Sequence, residues 1–190
     1  MARAKQLGRK KGFKNLAQYE NSANPAAHAK WTAEQVWQQT NHKVTVFAAG
    51  MGTTGTAVGA AACFREKPTK VSIVGALCAK GHAVPGVRSE AKLKDIRFDW
   101  KKGIHNVEVE SKESYRKSLE LIRAGFMAGP SSGFAFAGLL RFLTECLSAN
   151  SLAEQLRNVD GEIFAVFVAG DIPHIYLDKY PTILDPEDFK

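Results

Sequence analysis

Val44-Thr45-Val46-Phe47-Ala48-Ala49, followed by Gly50-Met51-Gly52-Thr53-Thr54-Gly55-Thr56 and then Ala57-Val58-Gly59-Ala60-Ala61-Ala62-Cys63-Phe64, is the stretch that decides the fold. The first part is rich in Val and Phe and reads as a buried strand over Lys43 to Ala49. The last part reads as a helix running to about Glu66. Between them lies one turn with three glycines and three threonines, which implies that something comes close to its backbone.

Working outward, Asn24-Pro25 predicts a helix start, a capping residue followed by proline, continued by AAHAKWTAEQVWQQT. Lys70 to Ala76 and Asn106 to Glu110 read as strands, with mostly loop over 77–105. Ser111 is expected to cap the helix SKESYRKSLELIRA. After MAGPSSG, the segment FAFAGLLRFLTECL is apolar on nearly all sides and predicts a buried helix. A polar helix and a fourth strand, Glu162 to Ala169, complete the pattern. Strands alternating with helices predict an α/β, doubly wound domain with a largely parallel sheet, spanning all of 1–190. Ligands of such sheets sit beyond the carboxyl ends of the strands, where the glycine-threonine turn falls.

Composition narrows the function classes. The chain has 190 residues, 45% hydrophobic and 24% charged, an ordinary globular balance. No run of 18 apolar residues exists and the N-terminus lacks an apolar core, so neither a membrane span nor a secretory signal is expected. Cys63, Cys78 and Cys146 are odd in number and widely spaced, pointing to free thiols and a reducing, cytoplasmic setting. The net charge of +7 is densest at Arg3, Lys5, Arg9, Lys10, Lys11 and Lys14. No aromatic interleaving or finger spacing accompanies it, so a solvated arm is expected rather than a nucleic-acid surface. The five histidines show no metal-ligand spacing.

Gly50-Met51-Gly52-Thr53-Thr54-Gly55 matches GxGxxG literally, yet no Asp or Glu lies between Glu66 and Glu90 to bond a ribose. The Walker pattern fails because no Gly-Lys-Ser/Thr closes the loop. Glycines, a helix start and threonine hydroxyls together still suit an anion, such as a cofactor phosphate. The competing expectation is a glycine-rich packing turn where helix meets strand.

NSANPAAHAKWTAEQVW, VTVFAAGMGTTGT and MAGPSSGFAFAGLL, in that order, resemble the cysteine synthase and cystathionine β-synthase family. The family patterns are NPANxxxH…TxxEIW, GxGTGGT and GxSSGA, and the resemblance spans roughly Ala4 to Tyr180. VPGVRSE, Val84 to Glu90, is similar to a glycine-containing loop of archaeal-type members. The resemblance implies pyridoxal 5′-phosphate (PLP) as cofactor, the second, tryptophan synthase β-like fold type, and β-replacement of an activated serine by sulfide or a thiol. It further implies that Gly52, Thr53, Thr54, Gly55 and Thr56 form the phosphate cup and that Ser131 bonds the pyridine nitrogen. A helix cap is the other reading of Ser131. The family usually has glycine where this chain has Thr54. Near the C-terminus, Gly170 stands where the family has proline, and Asp171 is expected at the pyridine end of the pocket.

The family's Schiff-base lysine lies well before the NPAN segment, and nothing here matches its Ser-x-Lys-Asp-Arg type motif. The expectation is therefore the C-terminal part of such an enzyme: half of a split enzyme, a fragment, or a non-catalytic binding module. Its partners would be a small amino-acid substrate together with the lysine-bearing half or a second copy.

Overall fold

The computed structural model describes residues 2–149 and 153–190. Four parallel strands form one sheet: β1 (Val46–Gly50), β2 (Ser72–Cys78), β3 (Ile104–Val109) and β4 (Ala165–Phe167). Their spatial order is β3-β2-β1-β4, so the chain winds outward from β1 in one direction and then reverses to add β4 on its other side. The expected doubly wound α/β class is what the molecule adopts.

Helices cover both faces because the strands are apolar on both. Phe47 and Ala49 of β1, with Ile73 and Leu77 of β2, pack against Ala57, Ala60 and Phe64 of α4 (Gly55–Arg65). Behind α4 lies the segment formed by α2 (Ala23–Ala27), a π-helical stretch (His28–Ala33) and α3 (Glu34–Gln39), which contributes Ala33 and Trp37 to the same core. On the other face Val46, Ala48 and Val74 meet Leu139 and Phe142 of α6 (Pro130–Ser148). Helix α5 (Ser111–Arg123) lies against α6. The short α1 (Ala2–Leu7) and α7 (Tyr180–Ile183) sit at the two ends of the chain.

Several local expectations shift. Asn24 is not the cap of its helix, which starts at Ala23 behind Ser22; its amide donates instead to the Gln18 carbonyl and to Thr53 Oγ1. Nor does Ser111 cap α5, whose N-cap is Glu110. The Ser111 hydroxyl bridges to the loop after β2, accepting from Ala83 N–H and donating to the Ala83 carbonyl. Strand β1 begins at Val46 rather than Lys43, and β4 is the three residues Ala165–Phe167. The expected polar helix after α6 falls partly on residues outside the described ones. Among the described residues no helix is long and apolar enough to cross a membrane, and no group of three potential metal ligands occurs.

Candidate functional site

The reversal of winding leaves a crevice between the carboxyl ends of β1 and β4, the place where doubly wound sheets take ligands. A cavity of about 160 Å³ lies there, lined by Ala49, Gly50, Thr56, Gly86, Val87, Ser131, Val168 and Gly170. It joins two residues 75 positions apart, Thr56 from the first turn of α4 and Ser131 from the first turn of α6.

The turn itself answers the question raised by its glycines. A Cβ on Gly52 would collide with the Gly86 carbonyl, and one on Gly55 with the Asn24 side chain. The close approach at these two positions comes from within the protein. Thr53 is held by the same contacts: its Oγ1 accepts from the Asn24 amide at 3.0 Å and from Gly55 N–H at 3.2 Å. Thr54 lies in the left-handed region with φ +67°, buried, and its hydroxyl has no partner among the described residues. Such a conformation costs an ordinary residue about 1–2 kcal/mol. The backbone N–H groups of Gly52, Thr53, Thr54, Thr56 and Ala57 find no protein acceptor among the described residues. They are the free donors expected at a helix start, and they suit a phosphate.

Thr56 is placed by His28. The His28 ring spans two threonines, with Nε2 at 3.2 Å from Thr56 Oγ1 and Nδ1 at 3.0 Å from Thr32 Oγ1. Burial pushes the imidazole below its ordinary value, which keeps it neutral. The tautomer protonated at Nε2 donates to Thr56 and leaves the threonine proton free for an anion. His28 opens the π-helical stretch, a distortion frequent at functional sites. Its place in NSANPAAH was the signal in the sequence.

The loop after β2 closes the top of the crevice. Arg88 N–H donates to the Met51 carbonyl and the Arg88 carbonyl accepts from Cys78 N–H, which ties the ends of β1 and β2 together. Its guanidinium donates to Tyr19 OH at 2.6 Å and covers the Tyr19 ring. Gly86, with φ +80°, and Val87 are thereby held over Gly50 and Gly52.

At the other end, Ser131 is the second residue of α6, behind Gly129 at the cap and Pro130 at the first position. Its hydroxyl is therefore not a helix cap. Asp171 departs from its expected place: its carboxylate accepts from the N–H groups of Ser131 and Ser132, both at 2.9 Å. Gly170, not Asp171, lines the cavity. Of the expected cup Gly52 to Thr56, only Thr56 lines the cavity, with the free N–H donors of the turn beside it in sequence; Thr56 and the Ser131 hydroxyl in one cavity fit a phosphate-bearing ring.

Comparison with known proteins agrees with this geometry. The family model for pyridoxal-phosphate dependent enzymes matches residues 1–153. Cysteine synthase B of Escherichia coli is 35% identical over 136 residues, covering 67% of this chain and 43% of its own length. Cysteine synthase B of Pseudomonas aeruginosa is 36% identical over 149 residues, covering 77% and 50%. The O-acetyl serine sulfhydrylase isoform 3 of Entamoeba histolytica superposes with a TM-score of 0.67 at 19% identity, covering 97% of this chain and 55% of that one. A hydrogen sulfide-producing enzyme of Fusobacterium nucleatum gives 0.69 at 24%, covering 92% and 58%. The chain spans about half the length of the curated relatives it matches.

Proposed function

Because the chain belongs to the family of pyridoxal-phosphate dependent enzymes, we propose that it is the cofactor-cradling part of a cysteine synthase-type enzyme. The reaction is β-replacement, in which an activated serine loses its leaving group and sulfide or another thiol takes its place. The observation that carries the reading is the single cavity that brings Thr56 and Ser131 together at the winding reversal.

When bound, the cofactor supplies an electron sink for charge developing on the substrate α-carbon. The chain's own residues hold and temper it. The free N–H groups at the start of α4 and the Thr56 hydroxyl would take the phosphate, with His28 fixing the threonine. The Ser131 hydroxyl would take the ring nitrogen without charge, a milder partner for the sink than a carboxylate. Gly86 and Val87 would flank the ring from the loop after β2.

All eight residues lining the cavity are uncharged, which supports assigning the Schiff-base lysine to another polypeptide segment. That segment is the partner this reading requires, and the 190-residue chain alone is expected not to form cysteine above the free-cofactor background. A second reading, a non-catalytic binding module, is favoured by Thr54, which puts a buried β-branched side chain where the family pattern has glycine.

Titration of the purified chain with pyridoxal 5′-phosphate, then borohydride reduction and peptide mapping, tests the proposal. Saturable binding with no covalent adduct, weakened about tenfold or more by Thr56→Val, is the expected result. A stoichiometric adduct on one lysine would place the catalytic residue in this chain. No saturable binding would leave the binding-module reading.

A further inference from the structure

The geometry points to Asp171 as a positioning residue: by gripping the first turn of α6 from the end of β4, it sets where the Ser131 hydroxyl stands in the cavity wall. Its use in the chemistry rests on the reading of Ser131 given above; the positioning itself does not.

Helix α6 has 19 residues but no means of capping itself. Its N-cap is Gly129, which has no side chain, its first residue is proline, and its first turn holds no acid. The missing acceptor comes from a residue 40 positions away in sequence. Asp171 Oδ2 accepts from Ser131 N–H and Oδ1 from Ser132 N–H, and the Ser132 hydroxyl lies 2.6 Å from Oδ1. The two segments are also joined through their backbones, since Gly129 N–H donates to the Asp171 carbonyl at 3.0 Å. The fit is tight at Gly129, where a Cβ would stand 2.6 Å from the Asp171 carboxyl carbon; at Gly170 a Cβ would make only an ordinary contact, 3.9 Å from Ser131 Oγ.

Two consequences follow for the site. The side chains on either side of the carboxylate are sorted: the Ser132 hydroxyl turns to Asp171, while the Ser131 hydroxyl, with no partner among the described residues, stays at the cavity. The carboxylate also offsets the positive end of a long helix, about half a unit charge. A ring nitrogen at Ser131 then meets a neutral hydroxyl rather than bare helix N–H groups.

The test uses Asp171→Asn, which keeps the shape and removes the charge and one acceptor. The first readout needs no cofactor: in a Ser131→Cys background, the limiting alkylation rate of the fully ionised thiol at position 131, reached at high pH and followed by peptide mapping, reports where that side chain stands. Adding Asp171→Asn is expected to change this rate about fivefold. The second readout is the fluorescence emission of bound pyridoxal 5′-phosphate. Asp171→Asn and Ser131→Ala should each shift it in the same direction, and the double variant should show no further shift. The far-ultraviolet circular dichroism of each variant serves as the folding control. An unchanged alkylation rate with a lowered melting temperature would make Asp171 a helix cap only and overturn the inference, whether or not the cofactor binds. A changed rate in a chain that binds no cofactor would uphold the positioning and sink the proposed function instead.

Discussion

At the scale of single residues, Thr54 is the position where local chemistry and fold disagree. It is a β-branched residue at φ +67°, 2% exposed, with an unpartnered hydroxyl. Strain of about 1–2 kcal/mol and an unsatisfied buried hydroxyl of about 1–3 kcal/mol oppose it. Against these stand about 0.8 kcal/mol for its buried methyl group and about 0.5–1 kcal/mol for the backbone entropy that glycine would lose. The balance favours Thr54→Gly by about 2 kcal/mol. A urea titration should therefore show a raised midpoint with an unchanged slope. A lowered midpoint would mean that the threonine makes an interaction in solution that outweighs its strain.

At the scale of elements, the α5–α6 contact is a close joint between two helical backbones. The Ser114 hydroxyl donates to the Pro130 carbonyl and the Ser118 hydroxyl to the Ala128 carbonyl, each at 2.7 Å. Gly133 faces them, and a Cβ there would collide with the Ser114 carbonyl and the Ser118 backbone. Helix propensity alone would favour Gly133→Ala by about 1 kcal/mol. Overpacking two helical backbones costs about 1–3 kcal/mol or more, so the contact wins and the variant should melt lower. A melting temperature at or above that of the parent chain would show that α5 can move away freely. The strand-turn-helix unit was legible in the sequence because β1 is buried on both faces and therefore reads as an unbroken apolar run. The Ser131 turn was legible as a motif. What sequence could not reveal were contacts made across distance: Asn24 leaving its helix for Thr53, Ser111 reaching Ala83, and Asp171 capping α6. Each of these side chains has an equally good local use, and only the tertiary neighbour decides between the two. The strand ends shifted for the same reason, since the Val46 N–H and the Thr45 N–H both go to the Phe164 carbonyl, outside the ladder.

At the scale of the whole molecule, surface and interior make separate predictions. Phe126, Met127, Ile172, Ile175 and Leu177 are all more than half exposed, on two segments joined by the Gly129–Asp171 backbone hydrogen bond. Exposed apolar side chains of this size favour association, which the net charge of +7 opposes. Size-exclusion should show elution moving earlier with concentration and, because salt screens the repulsion, earlier still at high salt. The double change Ile175→Asp and Leu177→Asp should restore a monomer, and a parent chain that stays monomeric throughout would refute the association. The interior prediction concerns alkaline pH. Tyr115 is 2% exposed, its ring 5.0 Å from that of Tyr180, and burial, with a smaller push from Tyr180, raises its hydroxyl to about 12. In the unfolded chain the same proton leaves near pH 10. Between those values the unfolded state binds fewer protons than the folded one, so stability falls as pH rises. The contribution is fully present below about pH 10 and about 2 kcal/mol is lost by about pH 12. Chemical denaturation across that window should show the loss in the parent chain and a shallower loss in Tyr115→Phe, which has no proton to release. Equal slopes in the two chains would mean that other groups govern the alkaline limit.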